Sequence, residues 1–242
     1  MEREPVIQFK NCTKLFGSKT VLHNISFEVN EEKSFTTIIG KSGSGKTTLL
    51  RLVAGLEKLN DGRIYINGKV VSEGKKIIVP PHERNVGFIF QDLALWPHFT
   101  VYQNIEFGLK QKKIPDYKSI VMQTMDEFGI ADLKKNYTHQ LSGGQQQLVA
   151  LARSMVLQPK LLLMDEPLAN LDVKLKTQMR QRIKQLVKEN NISIFYVTHD
   201  HKEAMEMSDK MMVLNEGAIA YYGTPEQSIY SDNVFLKEFM EV

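Results

Sequence analysis

The chain of 242 residues is 42% hydrophobic and 24% charged, which is the composition of an ordinary globular protein and excludes a disordered or fibrous one. Its formal net charge of +3 is too small to indicate nucleic-acid binding by itself, and a single cysteine, Cys12, cannot form an intramolecular disulfide. No run approaches the roughly 18 apolar residues that a membrane span needs, and the charged segment Met1–Pro5 lacks an apolar leader core. We therefore expect a cytosolic chain that contacts a membrane only through a partner.

The first 90 residues have the pattern of short strands separated by turns. β-branched and aromatic residues predict strands at 6–9, 21–29, 35–39, 62–71 and 86–90. Turn residues lie between them, at Phe16-Gly17-Ser18, Asn60-Asp61-Gly62 and Asn67-Gly68. This pattern predicts mixed sheet with one helix in this part of the chain.

From about Val101 to Gln158 the spacing of apolar residues becomes helical. Two short unbroken apolar runs follow, at 161–164 and 192–197, and such runs are typical of central parallel strands that are covered on both faces. Between them lies a helical pattern with an apolar stripe from Leu175 to Val187 and a basic opposite face. A basic face can bind nucleic acid, but it is more often simply solvated, and we expect a solvated face here.

A glycine-rich segment follows the predicted strand at 35–39 and precedes a helical pattern. Backbone N–H groups without bulky side chains can surround an anion at the start of a helix, where the helix dipole already favours negative charge. Lys46 would add a positive charge and Thr47 a hydroxyl ligand for Mg²⁺. The alternative is a plain glycine turn. The residues predicted to hold phosphate groups are Gly40, Ser42, Gly43, Ser44, Gly45, Lys46 and Thr47.

Two acidic residues, Asp165 and Glu166, directly follow the apolar run at 161–164. They are therefore expected at the carboxyl end of a buried strand, where open parallel sheets bind ligands. Asp165 would hold Mg²⁺ through its coordination shell. Because side chains alternate along a strand, Glu166 should point elsewhere and act on the attacking water. The alternative is that the pair caps a helix after the strand.

A second candidate anion site begins at Leu141 with the sequence L-S-G-G-Q. Ser142 and Gln145 have the spacing of a capping box, which needs no further function. Two glycines in the first turn of a helix are nevertheless unfavourable, by about 1 kcal/mol each relative to alanine in a helix interior. We infer that the backbone here approaches another group closely, and that Ser142, Gly144 and Gln145 form a second phosphate-binding surface.

These motifs and their order resemble those of the nucleotide-binding subunit of an ATP-binding cassette (ABC) transporter, over nearly the whole chain. The segment 40–47 matches the phosphate loop, 141–145 matches the family signature, and 161–166 matches the Mg²⁺ strand with its catalytic glutamate. Three further matches are Gln91 of the Q-loop, the D-loop at Ala169-Asn170-Leu171-Asp172, and the switch histidine His199.

The resemblance implies ATP and Mg²⁺ as cofactors and assigns roles to residues. Phe16 stands where the family has an aromatic residue that stacks on adenine, and its π face suits this, although core packing is the alternative. The residues implied in catalysis are Glu166, His199 on the γ-phosphate and Gln91 near the attacking water. The metal would be held by Thr47, Gln91 and Asp165. Thr48 and Asp172 are expected among the nucleotide contacts.

The resemblance also implies the architecture. The fold class is α/β, a RecA-like P-loop NTPase core with an antiparallel β subdomain and an inserted α-helical subdomain. A single ABC ATPase domain would span 1–242, with a β-rich nucleotide-binding part at 1–90, a helical subdomain at 91–158 and the remainder of the core at 159–242. A second copy, or a homologous ATPase subunit, would pair with it head to tail, so that each signature loop closes on ATP held by the other subunit.

Implied partners are membrane permease subunits at the cytoplasmic face of the inner membrane and a solute-binding protein, but no nucleic acid. Segments 79–84, 95–101 and 223–225 are similar to those of importers for iron, polyamines, sulfate or sugars, and Trp96 would lie near the permease's coupling helix. Leu148 departs from the family, which usually has an arginine there. Such importers often add a β-rich regulatory domain, and because this chain stops at Val242 we expect no regulation through one.

Two other functions were considered. A soluble ABC-type ATPase that acts on DNA or ribosomes usually carries long coiled coils or two cassettes in one chain, and the sequence has neither. A phosphate-loop kinase or GTPase would leave the signature segment unexplained. The transported solute cannot be read from this chain, because the permease and any binding protein select it.

Overall fold

The computed structural model describes residues 4–30, 33–231 and 233–240. In these ranges the strands are β1 (Ile7–Phe16), β2 (Lys19–Val29), β3 (Phe35–Gly40), β4 (Asp61–Ile66), β5 (Lys69–Glu73), β6 (Lys76–Ile77), β7 (Val86–Ile89), β8 (Leu161–Asp165), β9 (Ser193–Val197), β10 (Lys210–Asn215) and β11 (Ala218–Gly223). The helices are α1 (Lys46–Ala54), α2 (Val101–Gln111), α3 (Tyr117–Glu127), α4 (Gly143–Met155), α5 (Val173–Asn190), α6 (His201–Met207), α7 (Pro225–Ile229) and α8 (Val234–Met240). None of these helices is both long enough and apolar enough to cross a membrane.

The strands form two sheets. One is antiparallel, in the order β2-β1-β4-β5-β6, and the other has the order β11-β10-β3-β9-β8-β7. In the second sheet every neighbouring pair is parallel except β10 and β11. The strands predicted as mixed sheet in the first 90 residues belong to both sheets, because β3 and β7 pair with strands much later in the chain. The α/β fold class itself is confirmed.

Strand β8 lies in the middle of the molecule and is buried on both faces, as its unbroken apolar run predicted. Its alternate residues belong to two different hydrophobic clusters. Leu161 and Leu163 pack in the cluster that contains α1 and the antiparallel sheet. Leu162 and Met164 pack in the cluster that contains α2, α3, α4 and α5. The parallel sheet thus joins the two halves of the core, and the residues that follow its strands share one rigid edge.

Helix α5 confirms the predicted division into an apolar stripe and a basic face. Its buried residues are Met179, Ile183, Leu186 and Val187. On the opposite face Lys174 and Lys188 are exposed. Arg180 forms an ion pair with Glu206, with 3.5 Å between nitrogen and oxygen. The subdivision of the chain at 91 and 158 stays a prediction.

Arg84, which lies just before β7, connects helix α1 to the antiparallel sheet. Its buried guanidinium donates hydrogen bonds of 2.8 to 3.0 Å to the carbonyls of Leu52, Val53, Val71 and Val79 and to the Ser72 hydroxyl. Burial lowers the pKa of Arg84 to about 10, which still leaves it charged at neutral pH. A cation at the carbonyl end of a helix also complements the helix dipole.

Candidate functional site

A cavity of about 610 Å³ opens at the carboxyl edge of the parallel sheet, where the sequence predicted a ligand site. Its walls come from segments that follow β3, β7, β8 and β9, and from the hairpin between β1 and β2. The predicted residues that line it are Phe16, Ser42, Gly43, Gly45, Lys46, Thr47, Thr48, Gln91, Glu166 and His199. Lys19 and Val21 also line the cavity, although the sequence did not predict them as site residues. The predicted turn after Phe16 could have revealed them, because Lys19 pairs directly with Phe16 in the hairpin.

The loop between β3 and α1 can exist only with glycine at two positions. Gly45 has a φ of +104°, and a Cβ there would lie 2.6 Å from the Leu22 side chain. A Cβ on Gly40 would lie 2.2 Å from the Leu214 carbonyl oxygen. The loop is therefore packed closely against its neighbours, with its backbone N–H groups at the amino end of α1. This geometry fits an anion.

Two polar side chains of this loop also fit a phosphate. The Ser44 Oγ is buried, and within the described residues it has no hydrogen-bond partner. The Lys46 Nζ donates to the carbonyl oxygens of Gly40 and Lys41, at 2.8 and 3.0 Å. Burial lowers the pKa of Lys46, against the opposing effect of the carboxylates of Glu166 and Asp165. The loop thus holds an ammonium group and an unsatisfied hydroxyl that a phosphate could engage.

Thr47 and Asp165 form the candidate metal site. The Thr47 hydroxyl donates to Asp165 Oδ1 at 3.1 Å, so that a hydroxyl oxygen and a carboxylate lie side by side. Burial raises the pKa of Asp165, while the bond from Thr47 lowers it. In the described ranges no three His, Cys, Asp or Glu side chains cluster as metal ligands. A site with so few protein ligands fits Mg²⁺, which keeps waters and takes oxygen ligands from phosphates.

Glu166 lies beside Asp165, but not for the reason that the sequence suggested. Strand β8 ends at Asp165, and Glu166 has a φ of +45°, in the left-handed region. The backbone therefore leaves the extended conformation at Glu166, and the alternation of side chains along a strand does not apply to this residue. The amide of Glu166 donates to the Val197 carbonyl at 3.0 Å, which holds this conformation. The helix-capping alternative is wrong, since no helix begins until Val173.

His199 reaches Glu166 across the cavity. Its Nδ1 lies 3.0 Å from Glu166 Oε2, and both side chains line the cavity. An uncommon left-handed conformation at a non-glycine residue costs about 1 kcal/mol or more and is concentrated at functional sites. The contact between Glu166 and His199, both on the cavity wall, makes this pair the candidate chemical end of the cavity.

The segment 141–145 lies elsewhere, and none of its residues lines the cavity. The Ser142 hydroxyl accepts from the Gln145 amide at 3.3 Å, and the Gln145 side chain accepts from the Ser142 amide at 2.9 Å. The capping box is thus present at the start of α4. A Cβ on Gly144 would lie 2.9 Å from a methyl carbon of Leu175, so this glycine has a packing reason. Packing against Leu175 explains Gly144 without an anion. The phosphate contacts of Ser142, Gly144 and Gln145 stay a prediction.

Asp172 likewise lies outside the cavity walls. It is the N-cap of α5, and its side chain accepts from the Leu175 amide at 3.0 Å. Leu175 also contacts Gly144, so the predicted D-loop and the start of α4 are neighbours in one chain. The nucleotide contact of Asp172 stays a prediction.

A phosphate loop after β3, a hydroxyl and carboxylate pair, and a strained acid beside a histidine together define a P-loop nucleotide hydrolase. Comparison with known proteins identifies a family within this class. Residues 22–169 match the family described as ABC transporter. The chain therefore belongs to the ABC transporter family and is an ATP-binding subunit with ATPase activity.

Individual proteins that are similar over 99% of this chain belong to the same family. The chain is 44% identical to the spermidine/putrescine import ATP-binding protein PotA of Acetivibrio thermocellus, over 99% of this chain and 67% of that protein. It is 45% identical to the Fe(3+) ions import ATP-binding protein FbpC of Vibrio cholerae, over 99% of this chain and 68% of that protein. The PotA of Haemophilus influenzae is 39% identical, over 99% and 64%. The chain thus spans about two thirds of the length of these relatives.

Proposed function

We propose that this chain hydrolyses ATP to drive the import of a solute through a separate membrane permease. The observation that carries the proposal is that Thr47, which bonds to Asp165 behind it, lines one cavity with Lys46, Glu166 and His199. Similarity to import ATP-binding proteins over 99% of the chain supports the same conclusion.

In this proposal one end of the cavity holds the base of the nucleotide and the other end holds its phosphates. The Phe16 ring stacks on the adenine, and the amides of 42–48 surround the phosphates. Lys46 would exchange its bonds to the loop carbonyls for bonds to phosphate oxygens, and the buried Ser44 hydroxyl would gain a partner. Charge-assisted hydrogen bonds of this kind are stronger than the neutral ones that they replace.

Hydrolysis would then depend on Glu166. Its carboxylate accepts a proton from the attacking water. His199 holds the Glu166 carboxylate and would contact the terminal phosphate. Gln91 lines the same wall and would orient the water. Mg²⁺, held by Thr47, Asp165 and Gln91, would neutralise the phosphate charge.

A second copy of the chain, or a homologous subunit, completes the proposal. Ser142, Gly144 and Gln145 lie at a helix start that is away from the cavity of their own chain, yet a helix start favours anions. Head-to-tail pairing would bring this start, with Asp172, to the open side of the partner's cavity. Two composite ATP sites would result.

The permease is proposed to dock at a groove between β7 and the helices α2 and α4. This groove has a volume of about 360 Å³, and its walls include Phe107 and Arg153. Trp96 packs on Phe107 with 4.5 Å between ring centroids, and the Arg153 guanidinium lies 5.1 Å from the Trp96 ring. Arg153 also donates to the carbonyls of Leu93 and Ala94. A partner seated here would therefore contact Phe107 and Arg153, the two residues that hold the segment after Gln91.

The subunit is placed by this proposal at the cytoplasmic face of the inner membrane, in a complex with permease subunits and a solute-binding protein. The proposal names no solute. Relatives named for spermidine and putrescine and a relative named for ferric ions are similar to this chain to nearly the same degree, at 44% and 45% identity.

The test is to purify the chain from native membranes after mild solubilisation and to identify what remains bound. A membrane permease that stimulates Mg²⁺-dependent ATP hydrolysis by the complex is the expected result. Glu166→Gln in the same complex is the control, since it should remove the activity without releasing the permease. Recovery with ribosomes or DNA instead of a permease would support the soluble ATPase and contradict the importer.

A further inference from the structure

Lys14 has an unusual position for a lysine. Only 7% of its surface is exposed, although it lies on β1 only two residues before Phe16 at the edge of the cavity. Its Nζ lies 4.4 Å from the centroid of the Phe16 ring. This distance is within the range of an attractive cation–π contact, and such contacts strengthen when the cation is shielded from water.

The ammonium group is held in place from the other side. It donates to the Glu57 carboxylate at 3.0 Å and to the Lys58 carbonyl at 2.8 Å. Both residues follow α1, the helix whose first turn carries Lys46. Lys14 thus connects the aromatic ring at one end of the cavity to the helix that starts at the phosphate loop.

The two faces of the Phe16 ring are in different surroundings. Phe16 is 46% exposed and lines the cavity, whereas Lys14 does not line it. The ammonium group occupies one face of the ring, which leaves the opposite face available to a ligand in the cavity. A cation on one face draws π-electron density toward itself, and the opposite face becomes a better partner for an electron-rich ring.

We propose that Lys14 is a positioning residue for the base of the nucleotide, because its ammonium group fixes the Phe16 ring and polarises the face that stacks on a purine. The inference rests on the proposed ATP function and deepens it. Lys14 acts through Phe16 and touches neither the phosphates nor the reacting atoms.

The experiment separates the base from the phosphates. Binding of ATP and of inorganic tripolyphosphate, each with Mg²⁺, is measured by calorimetry in the full chain carrying Glu166→Gln. The variant is Lys14→Met with Glu57→Gln, so that the half-buried Glu57 carboxylate is not left without its cation. The matched control is Lys10→Met, because Lys10 on the same strand lies 4.9 Å from the Tyr65 ring, away from the cavity.

We expect the Lys14 variant to bind ATP about three- to tenfold more weakly and to bind tripolyphosphate as the parent does. Lys14→Arg, which keeps a cation over the ring, should restore ATP binding, and the Lys10 control should change neither ligand. In a Phe16→Ala background the Lys14 change should have no further effect, since the ring through which it acts is gone.

Equal weakening of both ligands, or a loss that persists in the Phe16→Ala background, would show that Lys14 only supports the fold and would overturn the inference. Unchanged ATP affinity would do the same. A parent chain that binds ATP no more tightly than tripolyphosphate would overturn base recognition altogether. If no permease is recovered with the chain, these binding results are unaffected. A failure of the permease proposal can therefore be distinguished from a failure of the Lys14 inference.

Discussion

The nucleotide cavity and the first turn of α4 differ in how their polar groups are used. At the cavity, the buried Ser44 hydroxyl has no hydrogen-bond partner among the described residues, and Lys46 bonds only to carbonyls of its own loop. At the start of α4, Ser142 and Gln145 already satisfy each other's backbone amides, and Gly144 packs against Leu175. A ligand in the cavity would satisfy groups that lack partners, whereas a ligand at α4 would approach a turn that is already capped.

This difference separates what one chain can do from what requires two. The cavity has the phosphate loop, the candidate metal ligands and the candidate base in a single chain. The start of α4 is already capped within the chain, and in the proposed function its catalytic role depends on the nucleotide held by a partner. The following predictions test that division, beginning with the largest expected effect.

Replacing the candidate base tests whether the cavity contains the whole chemical machinery. Glu166→Gln should leave ATP binding intact and lower turnover by about 10²- to 10⁴-fold, the usual contribution of a general base. Single-turnover hydrolysis with a binding titration on the same sample measures both effects. A rate within about threefold of the parent would remove Glu166 from the mechanism.

Mixing two inactive variants tests whether the start of α4 acts on a partner. Lys46→Ala removes charge from the phosphate loop, and Ser142→Arg fills the space that a terminal phosphate would need. Each alone should stay monomeric with ATP in the Glu166→Gln background. A mixture can form pairs with one intact composite site, and it should recover part of the ATP-dependent dimer in analytical ultracentrifugation.

The pure variants serve as controls for that mixture. If either of them dimerises as well as the parent, the composite site is contradicted. If the mixture also stays monomeric while both variants are folded, closure requires two intact sites, and a covalently linked pair with Lys46→Ala in one half and Ser142→Arg in the other, which keeps one intact composite site, is the next test.

Removing the aromatic ring tests the other end of the cavity. Phe16→Ala should weaken ATP binding by about 1 to 3 kcal/mol, the range for a base stacked on an aromatic side chain, with little change in the chemical step. Calorimetry and single-turnover kinetics measure the two quantities separately. Unchanged affinity would assign Phe16 to packing, despite its exposure.

Two changes at Ser142 distinguish its capping role from its proposed ligand role. Ser142→Ala removes the N-cap and should lower the free energy of unfolding by about 1 kcal/mol. Ser142→Asp keeps a good N-cap but adds a negative charge, so the stability should be retained while ATP-dependent dimerisation is lost. Denaturant unfolding and ultracentrifugation report the two effects. An aspartate variant that dimerises normally would leave Ser142 with the capping role alone.

The sequence predicted the parts of the site that are encoded locally. The phosphate loop and the Asp165–Glu166 pair each lie within a few consecutive residues, so the sequence pattern was enough to locate them. The same is true of the Ser142–Gln145 box, but there the local pattern could not decide between a cap and an anion site. The decisive contact, Gly144 with Leu175, joins residues that are distant in sequence.

Features that depend on distant pairing were missed for the same reason. The left-handed backbone of Glu166 is held by a hydrogen bond to Val197, which no local spacing reveals. Strand β3 looked like part of the first sheet, yet its partners are β9 and β10. Lys14 was not noticed because its importance comes from Glu57 and Lys58, which only the folded chain brings beside it.

The five hydrogen bonds of Arg84 hold three parts of the molecule together. They join the end of α1 and the antiparallel sheet to the start of β7. A movement of the α4 side relative to these elements would bend the chain at its two connections to the parallel sheet, after Ile89 and before Leu161. Leu93 and Ala94, which both have positive φ and both bond to Arg153 of α4, lie in the first of these connections. A pull on α4 would therefore be transmitted by Arg153 to the short link that carries Gln91.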